Sequence, residues 1–289
     1  MRQPGRNDRP MSAPGLKAAW RWRSFAAATA LGLARLGFFT PHRHAASATP
    51  RAYPGLEPRF VAADPEMRAL IAEIDRLGPD LARLKGPPPA PRFDQAWFAR
   101  LDAAAAYAMV RGRAPECIVE VGSGHSTRFM VRAVADGGLS TTIQCIDPSP
   151  RAVLTDLGVD HVPSLLQDLA PGEVLPLKTG DILFIDSSHV AMPGTDVDRL
   201  FGDILPRLPS GVLVHIHDIV LPDPYPRHWH WRGYNEQLLV ACLIDGGYRL
   251  LWSSHWLASR RADWLEGTVI ADLPLIEGTP ETSVWLEKL

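Results

Sequence analysis

The sequence predicts an α/β protein built on an open, mostly parallel sheet with helices on both faces. Short apolar runs rich in β-branched residues alternate with segments of helical periodicity, and most of these runs end in polar residues. The first run passes through a glycine turn into a helix start. The predicted strands are 117–121, 141–146, a weaker 161–166, 181–185, 212–216 and two late candidates, 248–252 and 267–270. The predicted helices among them are 128–134, 151–157, 196–208 and 234–244.

Size and charge restrict the functions that the chain can have. With 289 residues, 46% of them hydrophobic, the chain is long enough for one large domain with appendages. Residues 1–51 contain nine of the 30 Lys and Arg residues and a single acidic residue, Asp8. The other residues therefore carry 21 basic and 31 acidic side chains, a net charge of about −10. A mildly acidic body argues against a nucleic-acid-binding core.

Residues 1–50 are predicted to form a basic, partly disordered tail with an amphipathic helix. Over residues 16–39, an apolar face recurs at helical spacing and consists of Trp22, Phe25, Leu33 and Leu36. Such a helix could lie on an anionic membrane or on the protein's own body, and a signal peptide is an alternative because Ala46-Ser47-Ala48 resembles a cleavage site. A spanning helix is disfavoured, since the apolar stretch 25–34 has half of the ~20 residues required. We expect a cytoplasmic protein, with peripheral contact at the inner membrane face as an option.

Residues 51–91 are predicted to be an accessory helical segment followed by a Pro-rich linker. Asp64 as N-cap and Pro65 at the first position start a helix with a core-facing apolar stripe. The Pro-rich run 86–91 is typical of a rigid linker, and a further helix over 93–110 opens the main domain, 92–289. Three cysteines without motif spacing predict buried free thiols at 117, 145 and 242.

The glycine turn after the first strand is the first candidate binding element. Gly122 and Gly124 force a tight turn, and Ser126 and Thr127 suit the start of a helix. Free backbone N–H groups and the positive end of a helix dipole meet there. The turn lacks the third glycine of a dinucleotide fingerprint, and Glu120 points towards it. These features disfavour NAD and suit a cationic ligand such as a sulfonium.

Polar side chains end, or nearly end, four predicted strands, at the edge of the sheet where open α/β proteins bind ligands. They are Glu120, Asp147, Asp186 and the His217-Asp218 pair. Asp147 lies 23 positions beyond Gly124, close to the ~20 expected for an acidic residue on ribose hydroxyls. Its alternative role is to cap the following helix. A dinucleotide-dependent oxidoreductase and a non-catalytic binding protein on the same fold stay open as alternative functions.

Residues 93–256 resemble the class I S-adenosylmethionine-dependent methyltransferases, which have a Rossmann-like fold. The motifs that carry the resemblance are EVGSG at 120–124, Asp147, GDILFIDSSH at 180–189 and GVLVHIHDI at 211–219, with Tyr225-Pro226 and 235–237. They are most similar to a bacterial small-molecule subgroup with the layout of the catechol and cephalosporin-biosynthesis O-methyltransferases. The resemblance implies a seven-stranded sheet with a reversed last strand. It implies S-adenosylmethionine contacts at Glu120, Gly122, Ser123, Gly124, His125, Ser126, Asp147, Pro148, Gln167 and Asp168.

The predicted catalytic residues are Asp186, His189, His217 and Asp218, at the ends of the fourth and fifth predicted strands. Metal-dependent relatives carry an Asp after the fourth strand and an acidic or acidic-amide pair after the fifth, which matches Asp186 and His217-Asp218. The histidine argues against Mg²⁺, because hard cations prefer oxygen ligands, and would suit Mn²⁺, Fe²⁺ or Zn²⁺ better. The alternative is a site without metal in which His217 or His189 is the general base.

The expected reaction is in-line methyl transfer to a hydroxyl oxygen of a small-molecule acceptor. The aromatic residues of the loop 222–231 either form a wall of the acceptor pocket or pack on one another. His215 lies within a strand and is expected to be structural. A homo-oligomer is a further option.

Overall fold

The computed structural model, which describes residues 16–38 and 41–289, has one seven-stranded sheet at its centre. Its strand order is β3-β2-β1-β4-β5-β7-β6, and β7 runs antiparallel to both neighbours while the other pairings are parallel. The predicted fold class and the reversed last strand are therefore confirmed. The strands are β1 Cys117–Val121, β2 Thr142–Ile146, β3 Asp160–Val162, β4 Ile182–Ile185, β5 Leu213–Ile216, β6 Tyr248–Ser253 and β7 Val284–Lys288.

Eleven helices, counted over the described residues, surround this sheet. They are α1 Leu16–Ala30, α2 Glu57–Ala62, α3 Asp64–Arg76, α4 Gly78–Leu81, α5 Arg100–Arg113, α6 His125–Gly137, α7 Asp196–Arg199, α8 Leu205–Arg207, α9 Gln237–Asp245, α10 Ser254–Arg260 and α11 Val269–Asp272. One π-helical turn, Leu200–Ile204, joins α7 to α8. Single-turn 3₁₀ helices occur in several loops, and the one at Arg227–Arg232 carries aromatic residues of the predicted pocket loop. Within the described ranges, every helix is too short or too polar to cross a membrane.

Two predicted helices differ from the structure because side-chain and tertiary hydrogen bonds compete with helix formation. The helix expected from 93 begins only at Arg100, since Gln95 Oε1 accepts hydrogen bonds from the backbone N–H groups of Trp97 and Phe98. The helix expected over 151–157 is absent from this described stretch. There the backbone N–H of Arg151 donates to Ser123 O at 3.2 Å, which holds the chain along the glycine turn.

The C-terminal elements were predicted least well. The strand candidate at 267–270 is wrong, because residues from Val269 form α11, whose first N–H donates to Asp75 Oδ1 at 2.8 Å. The reversed strand β7 instead lies at the end of the chain. Asp64 is not an N-cap but the first residue of α3, where its carboxylate accepts from Trp256 Nε1 and Arg261.

The accessory helices pack on the same core as the sheet. Phe60, Met67 and Ile74 are fully buried, in one apolar cluster with the strands. The predicted helix 16–39 ends at Ala30, where Gly32 follows with φ +67°. The proposed limits near residues 50 and 91 stay predictions, and the part of the tail at residues 1–15, 39 and 40 lies outside the described residues.

The three thiols are free, but only one is fully buried. Cys145 is buried and Cys117 is partly buried, whereas Cys242 is exposed on α9, so the burial predicted for Cys242 is wrong. Cys242 Sγ lies 3.6 Å from Leu238 O, one helical turn earlier.

Candidate active site

The glycine turn between β1 and α6 is held against the ends of two neighbouring strands. Gly122 adopts φ +81°, a left-handed conformation that favours glycine. A Cβ built on Gly122 would lie 1.9 Å from Asp186 O, so any side chain would collide with the end of β4. The Gly122 N–H donates to Ile146 O at the end of β2. The turn is therefore fixed between β2 and β4, and its backbone lies bare at the carboxyl edge of the sheet.

Glu120 anchors this turn from below. Its carboxylate is fully buried and accepts hydrogen bonds of 2.6 Å from the hydroxyls of Ser126 and Thr127. Thr127 Oγ1 in turn accepts the N–H of Gly124, which caps α6. Burial raises the pKa of Glu120 to about 7, despite these hydrogen bonds. Glu120 thus lies beneath the turn and fixes the start of α6.

Beside the turn lies a cavity of about 240 Å³, here named the donor cavity. Asp147 borders it, and its Oδ2 accepts from the N–H of Ser123 at 2.7 Å while Oδ1 accepts from the N–H of Ser149 at 2.7 Å. With the longer bond from Ser123 Oγ, three of about four acceptor positions of this carboxylate are used, and one stays available to a ligand. The lining consists of Val121, Gly122, Ser123, Ile146, Asp147, Pro148, Ser149, Arg151, Ser164, Leu165, Leu166, Asp186, Ser187, Ser188 and Asp196. Bare glycine backbone and an available carboxylate fit an adenosyl ligand.

The other predicted cofactor residues lie next to this cavity rather than on its surface. His125 and Ser126 are buried in the first turn of α6. Gln167 and Asp168 belong to the 3₁₀ helix that follows the lining residue Leu166. Gln167 Oε1 is buried and accepts no hydrogen bond from the described residues.

The four predicted catalytic residues lie together at the ends of β4 and β5. Asp186 Oδ1 is 3.3 Å from His189 Nε2 and 3.5 Å from His217 Nδ1. Asp218 Oδ2 is 3.6 Å from His189 Nε2, and Asp218 Oδ1 is 3.9 Å from His217 Nδ1. His189 and Asp218 have φ +58° and +56°. Such strained backbone in non-glycine residues is concentrated at functional sites.

A buried carboxylate contacts the far side of each histidine. Asp102 Oδ2 is 3.4 Å from His217 Nε2, and Glu236 Oε2 is 2.8 Å from His189 Nδ1. Asp102 also accepts the backbone N–H groups of Thr282 and Ser283, so its position is fixed. Sequence reasoning missed Asp102, although it is the sole acidic residue in the Ala-rich helix α5. Glu236 entered the sequence analysis only as part of the motif at 235–237.

The charges of this cluster determine the protonation of its histidines. Burial disfavours the charged form of His217, but the charge of Asp186 and the hydrogen bonds that His217 donates to Asp102 and Asp186 outweigh burial and raise its pKa to about 10. Burial likewise opposes the charge on His189, yet Asp186 and Glu236 hold its pKa well above the ordinary value. The histidines in turn keep the pKa of Asp186 well below its usual range, against the effect of its burial. Both imidazoles are therefore cations at neutral pH.

His215, the third histidine of this region, has a structural position. Its ring stacks on Phe184 at 3.7 Å, and Nε2 lies 2.8 Å from Ser283 Oγ. Burial lowers its pKa well below the ordinary value, so the ring is neutral.

The predicted metal ligands do not fit a resident metal ion in this arrangement. Over residues 16–38 and 41–289, no group of three His, Cys, Asp or Glu side chains is arranged to hold one. Asp186 Oδ1 and Asp218 Oδ1 instead lie at ion-pair distances of 3.5 and 3.9 Å from His217 Nδ1. The imidazole in place of an oxygen ligand further argues against Mg²⁺.

A second cavity of about 320 Å³, here named the acceptor cavity, adjoins the first. Arg151 and Ser188 line both cavities, and His217 and Asp218 form part of the inner wall of the second. Of the aromatic loop, His228, Trp229 and Trp231 line it, while Tyr225 and His230 line a separate cavity. The remaining lining residues are Trp22, Ala96, Trp97, Val190, Arg232, Tyr234, Gly278, Pro280 and Thr282.

Comparison with known proteins gives one family match and several weak structural similarities. Residues 119–219 match a family model described as a methyltransferase domain. The chain is similar to cmcI with Mg and SAM (14% identity, 72% of this chain and 83% of that one, TM-score 0.43). It is similar to an O-methyltransferase from Bacillus cereus with SAH (12%, 76% and 90%, 0.41) and to TomG from Streptomyces achromogenes with SAM (15%, 76% and 89%, 0.40). Comparison with curated proteins gives no match.

The matched residues contain the chemistry described above. They run from β1 to just beyond β5 and include the glycine turn, Asp147, Asp186 and His217-Asp218. The seven strands and the reversed β7 follow the layout that the resemblance implied. The part of the chain from β1 to just beyond β5 thus matches a methyltransferase domain.

Proposed function

We propose that this protein transfers a methyl group to a hydroxyl oxygen of a small molecule, with His217 as the base. The observation that carries the proposal is the junction of the two cavities. Asp186 lines the donor cavity, His217 lines the acceptor cavity, and their side chains are 3.5 Å apart. A methyl donor on one side and a hydroxyl on the other would meet beside a proton acceptor.

The donor side holds and orients the cofactor. The backbone of the glycine turn would hold the methionine part, and Asp147 would accept a hydrogen bond from a ribose hydroxyl at its one unused position. Glu120 acts through Ser126 and Thr127 as a positioning residue, because it lies under the turn. Bound S-adenosylmethionine supplies an electrophilic methyl group on a cationic sulfur.

The acceptor side removes the hydroxyl proton. Asp102 holds His217 through Nε2, so Nδ1 faces Asp186, Asp218 and the acceptor. His217 must first lose its proton, and a sulfonium nearby favours this loss because like charges repel. Neutral Nδ1 then takes the O–H proton while the acceptor oxygen bonds to the methyl carbon and the carbon–sulfur bond breaks. Asp186 and Asp102 stabilise the imidazolium that forms. His189, fixed by Glu236, orients Asp186.

Two measurements test this proposal. Calorimetric titration with S-adenosylmethionine and with NAD is expected to give binding of the first alone; the reverse result would support an oxidoreductase. A panel of small alcohols and phenols is then incubated with methyl-labelled S-adenosylmethionine. His217→Asn is expected to lower methyl transfer about 100- to 10,000-fold, as for loss of a general base. The control His255→Asn changes a partly exposed histidine that pairs with Asp223. Unchanged turnover in His217→Asn contradicts the assignment of the base.

We further propose peripheral contact of residues 16–38 with an anionic membrane face on the cytoplasmic side. Trp20, Leu31 and Leu33 are more than 70% exposed, and basic residues accompany them in this segment. Sedimentation with vesicles containing phosphatidylserine is expected to retain the wild-type chain, and Trp20→Ala to weaken retention. If neutral vesicles retain the chain equally well, the basic residues do not contribute to membrane binding and the preference for an anionic membrane is wrong. Homo-oligomerisation stays a prediction.

A further inference from the structure

The N-terminal helix α1 contributes a side chain to the acceptor cavity. Trp22 lines this cavity together with Trp231 of the aromatic loop, and the two ring centroids are 6.1 Å apart at 61°. Trp22 is 44% exposed, whereas Trp20 on the same helix is 71% exposed. Trp22 thus forms part of the wall of the cavity, whereas Trp20 does not line it.

The inward face of α1 follows the helical repeat. Phe25, Ala28 and Thr29 are partly buried, while most other α1 side chains described are exposed. Thr29 Oγ1 accepts the N–H of Leu36 at 3.1 Å, which folds the following chain back on the helix. Further along, the N–H of Tyr53 donates to Pro222 O at 2.7 Å. Two positions of the N-terminal part of the chain therefore contact the aromatic loop: Trp22 contacts Trp231, and Tyr53 contacts Pro222.

The acceptor cavity has walls suited to a flat ligand. Indole and phenol rings come from three parts of the chain, and their faces favour offset or edge contacts with another aromatic ring. Arg151 lies over the Trp97 ring at 4.7 Å, and Arg232 lies over the Trp229 ring at 4.2 Å. Guanidinium planes held on indoles offer further flat surfaces for stacking. The aromatic lining residues are Trp22, Trp97, Trp229, Trp231 and Tyr234.

We propose that α1 is a lid on the acceptor site, that Trp22 contacts the acceptor, and that the acceptor is a planar aromatic alcohol. This inference rests on the proposed function, because the acceptor hydroxyl must reach His217 on the inner wall of the same cavity. Displacement of α1 would open the cavity on the side of Trp22. Residues 31–38, which are exposed and not helical, would permit that displacement.

The test uses 2-naphthol, a fluorescent planar aromatic alcohol, with the full-length chain and the product S-adenosylhomocysteine present. Trp22→Ala is expected to weaken 2-naphthol binding about tenfold, and Trp22→Phe less, because the phenyl ring keeps part of the stacking surface. Trp20→Ala is the matched control on the same helix and is expected to bind as the wild type does. Hydrogen exchange over residues 16–38 is expected to slow when 2-naphthol binds.

The outcomes separate this inference from the proposed function. If 2-naphthol does not bind to the wild type, or binds equally well to Trp22→Ala, the inference is wrong. Equal weakening by Trp20→Ala would also overturn it, since the effect would then come from the helix as a whole. Calorimetric titration of each variant with S-adenosylmethionine is expected to be unchanged. If the wild type does not bind S-adenosylmethionine, the methyltransferase function itself is refuted.

Discussion

The contact between Asp102 and His217 gives the most specific prediction. Replacing Asp102 by Asn keeps the shape of the side chain and an oxygen for the N–H groups of Thr282 and Ser283. It removes one of the negative charges that stabilise the His217 imidazolium, at 3.4 Å from Nε2. Hydrogen bonds to charged groups contribute about 1.5–3 kcal/mol, which is about 1–2 pKa units. The pKa of His217, about 10 in the wild type, should fall by that amount.

The pH profile of kcat/KM reports this change. Because the base form of His217 is the minor one below its pKa, kcat/KM should rise about tenfold per pH unit between pH 7 and 9 in the wild type. In Asp102→Asn the rise should level off about 1–2 pH units earlier. The assay uses whichever phenol of the panel is methylated, with saturating S-adenosylmethionine.

A matched control separates charge from folding effects. Glu281 is also a buried carboxylate, and it packs against the start of α5. It accepts hydrogen bonds from the Leu101 N–H and from Arg100, and it does not contact a histidine. Glu281→Gln should therefore leave the pH profile where it is. An unshifted profile in Asp102→Asn, or an alkaline rise that persists in His217→Asn, would refute the assignment of His217 as the titrating base.

Three further predictions concern the donor side and the metal. Gly122→Ala should abolish S-adenosylmethionine binding or lower the free energy of unfolding by more than ~3 kcal/mol, because the added Cβ would collide with Asp186 O. The control Gly112→Ala changes a helical position with open space around it. In the same denaturation assay its free energy of unfolding should rise by about 0.5–1 kcal/mol. Glu120 has a pKa of about 7 when folded against 4.5 as its ordinary value, so the folded state holds the extra proton and the free energy of unfolding should fall by about 3 kcal/mol as pH rises from 4.5 to 7. Urea titrations should show that fall in the wild type and not in Glu120→Gln. EDTA should leave methyl transfer unchanged; activity lost with EDTA and restored by a divalent cation would show that Asp186 and its neighbours bind a metal after all.

The strands around the site could be predicted because each is a short, buried apolar run. β1, β2, β4 and β5 fall within two residues of their predicted limits, and the polar residues that follow them lie together as expected. β7 was missed because its apolar residues are few and Glu287 and Lys288 end it, so its place depends on pairing with β5 and β6.

The features of the site that were not predicted depend on contacts between residues far apart in the sequence. Asp102 and His217 are 115 positions apart, and Glu236 is 47 positions from His189. Nothing in local spacing indicates that these carboxylates reach the histidines. The helix expected at 151–157 failed for the same reason, since a hydrogen bond from Arg151 to Ser123 O outweighs local helical propensity there.

The backbone contact of Gly122 with Asp186 has a consequence for altering the acceptor range. In the proposed mechanism, donor binding and proton removal depend on main-chain atoms at the ends of the adjacent strands β1 and β4, so substitutions there would disturb both. Trp22 of α1 and the loop residues Trp229 and Trp231 also line the acceptor cavity, and none of these three residues lies in a strand. Libraries confined to Trp22, Trp229 and Trp231 should therefore change which molecules are methylated while the methyl-donor geometry is retained.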